Sequence, residues 1–467
     1  MDEPPAQWQR GAMTRAVAAD YLVVGAGAMG MAFTDALVDH ADVRVAIVDR
    51  RHGVGGHWLA AYPFVRLHQS SCFYGVASTL LGGGRLQQRG PEKGLQERAI
   101  QPEICTYYAE VLERLVDTGR VEFFPNTEHV GGRTFVSRIS GADFEVPATC
   151  RVVDAHYLSP TIPGETSPPF GVGSGVRVVP VNDLATLDEA PSQYVIVGSG
   201  KTATDACIWL LARGVDPDAI CWVRPRDPWM LNRAVIQPDP AVFLGMLADL
   251  MESARHARSL DELFLRLEAL GVMLRIDPSV TPTMAKAPTL AEWELDQLRT
   301  IEDVVRRGHI QDVTRGRLTF AHGSVQVAQD AVVVHCAADG LRIPGTVPVW
   351  RPEAITLQTI RAGFPSFGAA LTGYVEATRD DDALKNRICP PSQYGNTLQD
   401  WAEMIIQGTR NAASYSAEDD IREWSMGVAL NPARTPPDQS ARTAVAEVRE
   451  RLATHTAPGL ARLVELV

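Results

Sequence analysis

The sequence predicts an α/β protein with two Rossmann-like dinucleotide-binding units, one inserted in the other. Short apolar runs, typical of buried parallel strands, lead directly into glycine-rich turns and then into helical patterns. This succession occurs twice, roughly 170 residues apart. A chain of 467 residues is long enough for two or three domains.

The first unit carries a G-x-G-x-x-G loop, formed by Gly25, Gly27 and Gly30 after the apolar run 21–24. In such loops the first glycine permits the turn and the second lets the backbone approach a pyrophosphate. The third glycine allows close packing of helix on strand, and the helix N-terminus favours an anion. Asp49 ends the next apolar run and is expected to accept hydrogen bonds from a ribose diol.

The second unit begins at the apolar run 194–197 and turns at Gly198, Gly200 and Ala203. Arg224 ends its next strand, where an acid suits a ribose 2′-hydroxyl and an arginine suits a 2′-phosphate. This unit therefore favours NADPH over NADH. The alternative is that Arg224 caps a strand end in solvent.

Lys201 and Thr202 follow Gly200 and mimic the end of an ATPase phosphate loop. That interpretation fails because the glycine required five positions before Gly200 is Val195. We expect Lys201 and Thr202 to bind near the cofactor pyrophosphate. A solvated lysine at a helix start is the alternative.

The two units divide the chain unequally. We expect residues 19–188 and 326–467 in the first unit and residues 189–325 in the second, with a helical insertion at about 239–307. The active site is expected at the cleft between the units, beyond the strand ends. The insertion and the C-terminal helix are candidates for a homo-oligomer interface or for covering the substrate cavity.

Composition excludes several classes of function. The net charge of -12 and the lack of a long Lys/Arg run argue against nucleic-acid binding. No apolar stretch approaches the ~18 residues of a membrane helix, and the N-terminus does not resemble a signal peptide. Seven scattered cysteines without Cys-x-x-Cys indicate reduced thiols in the cytoplasm, with no metal site.

The segment after Asp49 is Arg50-Arg51-His52-Gly53-Val54-Gly55-Gly56-His57-Trp58. It resembles the acid-x5-Gly-Gly-x-Trp segment of class B flavin-dependent monooxygenases, and the similarity is good from Asp20 to about Tyr74. The resemblance implies FAD in the first loop, with the acid on the adenosine ribose and the glycines close to the FAD. It adds Arg50, Gly56, His57 and Trp58 to the cofactor-binding residues.

The resemblance also implies a reaction. NADPH reduces FAD, molecular oxygen forms a C4a-(hydro)peroxyflavin, and one oxygen atom passes to a small-molecule substrate. The segment 62–68 is similar to the stretch beneath the isoalloxazine ring, so His68 and Gln69 are the catalytic candidates. His68 stands where the family often has Asn, and it is expected to donate to the peroxyflavin or act as acid and base. The alternative is a structural histidine bonded to backbone.

Two departures from the family pattern keep other functions open. The linker motif Phe-x-Gly-x3-His is missing from residues 173–184, and Ala155-His156-Tyr157 replaces a usual Ala-Thr-Gly. At the second copy of that motif, Asp339 and Gly340 are expected to approach the flavin. The alternatives are a flavin-dependent dehydrogenase or reductase without oxygen insertion, and a non-enzymatic dinucleotide sensor.

Overall fold

The structure is a computed structural model that describes residues 14–337 and 343–467. It confirms the predicted α/β class, because two parallel sheets form the centres of the two units. Among the described residues, no helix combines the length and apolarity needed to cross a membrane.

The first sheet has six strands, and only its outermost pair is antiparallel. Their order is Trp350–Arg351, Ala354–Thr356, Arg151–Asp154, Tyr21–Val24, Val45–Val48 and Val121–Phe124. Helices Ala28–His40 and Gln101–Asp117 follow the first and second strands in the chain, as the apolar patterns predict.

The second sheet has five strands, and all neighbours are parallel. Their order is Arg177–Pro180, Val332–His335, Tyr194–Val197, Ile220–Val223 and Val304–Val305, with helix Lys201–Ala212 after the third. Two strands of this sheet, Arg177–Pro180 and Val332–His335, lie outside the range 189–325 expected for the second unit. An isolated apolar run does not reveal which sheet it joins, so the sequence pattern predicts both strands in the first unit.

The expected helical insertion at 239–307 is only partly helical. It contains helices Pro240–His256, Leu260–Ala269 and Glu292–Leu298. Between them, Met273–Arg275 and Met284–Leu290 pair on either side of strand Pro228–Asn232. Three prolines between Gly271 and Leu290 exclude a continuous helix there, since proline lacks the N–H that a helix interior requires.

Two smaller sheets, antiparallel except for one parallel pair at an edge of each, cover the outer faces of the parallel sheets. One comprises Arg15–Ala16, Asp143–Glu145, Thr134–Ser137 and Thr127–Gly131; the other comprises Gly323–Gln326, Arg317–Phe320, Ile310–Thr314 and Gly171–Val172. Each encloses its own apolar core against the neighbouring parallel sheet. The 3₁₀ helices are Gly56–Ala60, Ser71–Phe73, Pro163–Glu165, Val181–Thr186, Pro217–Ala219 and Arg233–Val235.

The C-terminal region is helical, and its helices pack against both units. Its helices are Pro365–Thr378, Asp382–Ile388, Leu398–Ser416, Asp419–Gly427, Pro437–Ser440 and Thr443–Leu466. The last helix packs along Pro240–His256, and a side chain at Gly459 would overlap the Met251 carbonyl. These helices therefore contact each other within one chain.

A buried carboxylate joins the C-terminal helices to the first sheet. Glu376, 3% exposed, accepts hydrogen bonds from Tyr21 Oη at 2.7 Å and from Trp350 Nε1 at 2.9 Å. It also pairs with Lys385 Nζ at 2.5 Å and Arg151 Nη1 at 3.2 Å. Because its partners lie on separate elements, this carboxylate holds the helix Pro365–Thr378 against the sheet.

Candidate functional site

The first glycine loop has the geometry that its sequence predicts. Gly25 has a φ of 111° and donates its N–H to the Val48 carbonyl at 2.8 Å. A Cβ at Gly30 would lie 1.9 Å from the Gly25 oxygen. Only glycine fits at Gly30, so the helix Ala28–His40 can begin directly against the turn.

Asp49 is buried beneath this loop. Its Oδ2 accepts from Ala26 N at 2.7 Å, and its Oδ1 accepts from Arg51 N at 2.8 Å. Each carboxylate oxygen can accept more than one hydrogen bond, so Asp49 both supports the turn and can bind a ribose hydroxyl. Arg50 and Arg51 pair with Glu165, at 3.3 Å and 2.8 Å.

The Gly-Gly-x-Trp segment lies directly against the first loop. Gly56 has a φ of 60°, and a Cβ there would lie 2.9 Å from Gly27 Cα. The rings of His57 and Trp58 have centroids 4.5 Å apart. Burial and nearby Arg51 lower the pKa of His57 to about 4, so its imidazole is neutral at physiological pH.

His156 contacts the first loop, although the sequence motifs do not predict it as a site residue. Its Nε2 and Cδ2 lie 2.7 Å from the position that a Gly25 Cβ would occupy. Burial lowers the pKa of His156, while Asp49 and Asp154 oppose that shift. The departure from Ala-Thr-Gly at residues 155–157 was the available signal.

The second glycine loop is more open. Gly198 has a φ of 132° and donates to the Val223 carbonyl at 3.0 Å. A Cβ at Gly200 would lie more than 4 Å from every neighbouring atom in the part of the chain that the structure describes. Lys201, the first residue of the helix, pairs with Asp205 one turn later.

Arg224 follows the second strand of this unit but is only 2% exposed. Its guanidinium lies 4.7 Å from the centroid of the Trp222 ring, and its Nη1 lies 3.3 Å from Asp227 Oδ1. Apart from this ion-pair contact with Asp227, its Nε and Nη1 make no hydrogen bond to any residue that the structure describes. Arg226 is exposed, with Nη1 at 3.4 Å from Asn396 Oδ1.

His68 is half-buried and held on both ring nitrogens. Its Nδ1 accepts from the Thr289 N–H at 3.4 Å, and its Nε2 lies 2.8 Å from Tyr74 Oη. Burial, then Lys201 and Arg233, lower the pKa of His68 well below 6.5. Its ring is therefore neutral near pH 7, and the acceptor role of Nδ1 leaves the proton on Nε2.

Two buried arginines hold the backbone next to His68. Arg98 Nη1 donates to the Leu67 carbonyl at 2.9 Å, and Arg233 Nε donates to the His68 carbonyl at 2.8 Å. Both arginines pair with Glu92. Burial raises the pKa of Glu92, but the two cations outweigh it and bring that pKa to about 2. Glu294 completes this buried cluster 2.8 Å from Arg233 Nη2.

The remaining candidates from the sequence are Gln69, Asp339 and Gly340. Gln69 is buried, and its backbone N–H bonds to the Tyr74 hydroxyl. Asp339 and Gly340 lie outside the described residues. Over residues 14–337 and 343–467, no group of three or more His, Cys, Asp and Glu side chains is arranged to hold a metal ion.

The residues present fit two dinucleotides. Each loop joins a parallel strand to a helix whose first turn carries no acidic residue, so each helix start can accept a pyrophosphate. At the first loop the glycines leave no room for side chains, and the Asp49 carboxylate could accept a further hydrogen bond. At the second, Arg224 offers buried N–H groups that, within the described residues, have an ion-pair contact with Asp227 but no hydrogen bond.

Fold and site together define a protein with two Rossmann-type dinucleotide-binding units. Residues 23–72 match the family described as NAD(P)-binding Rossmann-like domain. The chain belongs to the family of the uncharacterized protein Rv2000 of Mycobacterium tuberculosis. The two are 40% identical over 421 residues, which cover 89% of this chain and 78% of that protein. An uncharacterized protein of Mycobacterium bovis matches equally well.

Several solved structures are similar to the chain at low identity. A variant of the flavin monooxygenase from Stenotrophomonas maltophilia has 14% identity and a TM-score of 0.45, covering 77% of this chain and 97% of that chain. A steroid monooxygenase bound to NADP has 15% identity and a TM-score of 0.46, covering 95% and 99%. A bacillithiol disulfide reductase from Staphylococcus aureus has 11% identity and a TM-score of 0.45, covering 79% and 100%.

Proposed function

We propose that this protein is an FAD- and NADPH-dependent oxidoreductase that inserts one oxygen atom into a small molecule. The observation that carries the proposal is one segment that contacts both glycine loops. Gly56 lies against Gly27 of the first loop, and Tyr62 bonds to Asp205, one turn after the second loop. Hydride transfer requires the reactive ends of two cofactors to lie close together, and a segment that contacts both loops supports such an arrangement.

Different residues would hold the two cofactors. The first loop and Asp49 would hold FAD, and the second loop, Lys201 and Arg224 would hold NADPH. Bound flavin supplies hydride acceptance from the nicotinamide and electron delivery to oxygen or to an organic acceptor. The neutral His68, fixed between Thr289 and Tyr74, would act at the flavin together with the Tyr74 hydroxyl that its Nε2 contacts.

The first test is a titration of the FAD-reconstituted protein with NADPH in the absence of oxygen. We expect the visible flavin band to bleach with NADPH and to bleach much more slowly with NADH. Oxygen insertion then requires product that carries label from oxygen-18 gas. A protein that retains FAD but shows no bleaching with either nicotinamide would refute the proposal.

A reductase without oxygen insertion is the second candidate. It is favoured by the segment at residues 173–184, which lacks Phe-x-Gly-x3-His, and by His68 at a position where the family often has Asn. For this reaction we expect fast reduction of an organic acceptor, slow oxygen consumption and no oxygen-18 in the product.

The cation at Arg224 gives a prediction about cofactor choice. Arg224→Met keeps most of the side-chain volume but removes the charge. Because a charged hydrogen bond contributes about 1.5–3 kcal/mol, we expect the Kd of NADPH to rise about 10- to 100-fold. The Kd of NADH, measured on the same variant, is the internal control and should change little. Equal weakening of both cofactors would assign Arg224 a purely structural role.

The low pKa of His68 gives a prediction about pH. A histidine whose pKa is depressed stays neutral above its ordinary pKa of 6.5, so it does not titrate between pH 6.5 and 8. We therefore expect the rate of flavin reduction against pH to have the same shape in the wild type and in His68→Gln over this range. If the rate of flavin reduction changes with pH in the wild type over this range but not in His68→Gln, then His68 does titrate there.

A further inference from the structure

The carboxylate of Asp205 lies between side chains from the two units. Tyr62 Oη donates to its Oδ2 at 2.7 Å, and Lys201 Nζ pairs with its Oδ1. Thr202 of the second loop also hydrogen bonds to the Tyr62 hydroxyl. Tyr62 is 8% exposed, and the Lys201 and Asp205 side chains are each 12% exposed. The contact is therefore shielded from water, which strengthens its electrostatics.

Aromatic packing holds the same segment on the same helix. Tyr62 and Phe64 have ring centroids 4.8 Å apart, and Phe64 stacks on Trp209 at 4.8 Å. Asp205 and Trp209 are one turn apart on the helix Lys201–Ala212, so they share a face. Burial and Asp205 raise the pKa of Tyr62 far above its usual value, so the phenol stays protonated and remains a donor.

Lys201 makes this junction responsive to the second loop. It is the first residue of the helix, so its backbone belongs to the turn where a pyrophosphate would bind. A pyrophosphate bound there would attract the Lys201 ammonium. The ammonium would then interact with both the pyrophosphate and Asp205. Asp205 is then less neutralised and accepts more strongly from Tyr62, since hydrogen bonds to a full carboxylate charge are stronger.

We propose that Asp205 is a positioning residue that couples nicotinamide dinucleotide binding at the second loop to the placement of residues 62–68. This inference rests on the proposed function, because it assigns the second loop to that cofactor. Coupling of this kind is reciprocal. If NADP⁺ strengthens the Tyr62–Asp205 bond, then loss of that bond must weaken NADP⁺ binding by the same factor.

The test compares hydrogen exchange of full-length, FAD-reconstituted protein with and without NADP⁺. In the wild type we expect NADP⁺ to slow exchange of peptides that cover residues 62–68 severalfold. This is less than the roughly tenfold effect of forming a whole charged hydrogen bond, because NADP⁺ only strengthens a bond that already exists. In Tyr62→Phe we expect most of this effect to vanish and the Kd of NADP⁺ to rise by a similar factor.

Tyr21→Phe is the matched control. It removes a hydrogen bond of the same length, 2.7 Å, from Tyr21 Oη to the Glu376 carboxylate. Tyr21 begins the strand Tyr21–Val24, at the end away from the first glycine loop. This variant should keep the wild-type response to NADP⁺. If Tyr62→Phe also keeps that response and its NADP⁺ affinity, the coupling is refuted while the proposed function stands. If the wild type binds no NADP⁺, the proposed function fails, and the coupling fails with it.

Discussion

Gly30→Ala is expected to weaken FAD binding at least ~100-fold. The added Cβ would lie 1.9 Å from the Gly25 oxygen and 3.3 Å from Ala155 Cβ, so the helix or the turn must move. Overpacking of this kind costs about 1–3 kcal/mol of stability, and the displaced turn no longer presents its N–H groups to a pyrophosphate. Fluorescence titration with FAD should show a Kd raised at least ~100-fold over the wild type, corresponding to about 2.7 kcal/mol.

Two other glycines provide controls for this prediction. Gly427→Ala adds a Cβ at a helix end where no described residue comes within 4 Å, and FAD binding should be unchanged. Gly200→Ala also meets no protein atom within 4 Å, so fold and FAD affinity should persist. Its methyl group would enter the space expected for the second pyrophosphate, so NADPH binding alone should weaken. FAD binding by Gly30→Ala at wild-type affinity would remove the first loop from the cofactor site.

Glu376→Gln is expected to produce the largest loss of stability. The substitution preserves shape but removes the charge that pairs with Lys385 and Arg151 in a site 3% exposed. Removing one partner of a buried ion pair costs about 3–5 kcal/mol, because the other charge stays buried. Denaturant unfolding should show this loss in the free energy of unfolding, with FAD affinity retained in the folded fraction.

An exposed ion pair is the control for Glu376. Asp419 is 89% exposed and pairs with Arg422, so Asp419→Ala should change the free energy of unfolding by less than about 0.5 kcal/mol. A Glu376→Gln variant as stable as Asp419→Ala would show that the carboxylate does not hold the C-terminal helices on the sheet.

The glycine loops could be predicted because the need for glycine arises within a few neighbouring residues of the chain. A turn between strand and helix fixes the spacing of Gly25, Gly27 and Gly30 within six residues. The paired apolar runs and the helix after each loop follow from the same local patterns. These parts of the fold agree with the structure.

The long-range contacts of the site could not be predicted. Glu92 and Arg233 are 141 residues apart and meet only because the two units pack together. Nothing in the local sequence of either residue marks it as buried. The sheet membership of Val332–His335 was missed for a related reason, since a parallel strand finds its neighbours through tertiary packing.

The strand order of the second sheet has a consequence for biosynthesis. Val332–His335 lies between Arg177–Pro180 and Tyr194–Val197, although it is the last of these strands to be translated. The first sheet likewise adds Ala354–Thr356 beside Arg151–Asp154 after a long interval. Both sheets therefore keep open strand edges on the ribosome until their final strands emerge. We expect slow maturation and aggregation of chains truncated before residue 332, as is general for sheets of high contact order.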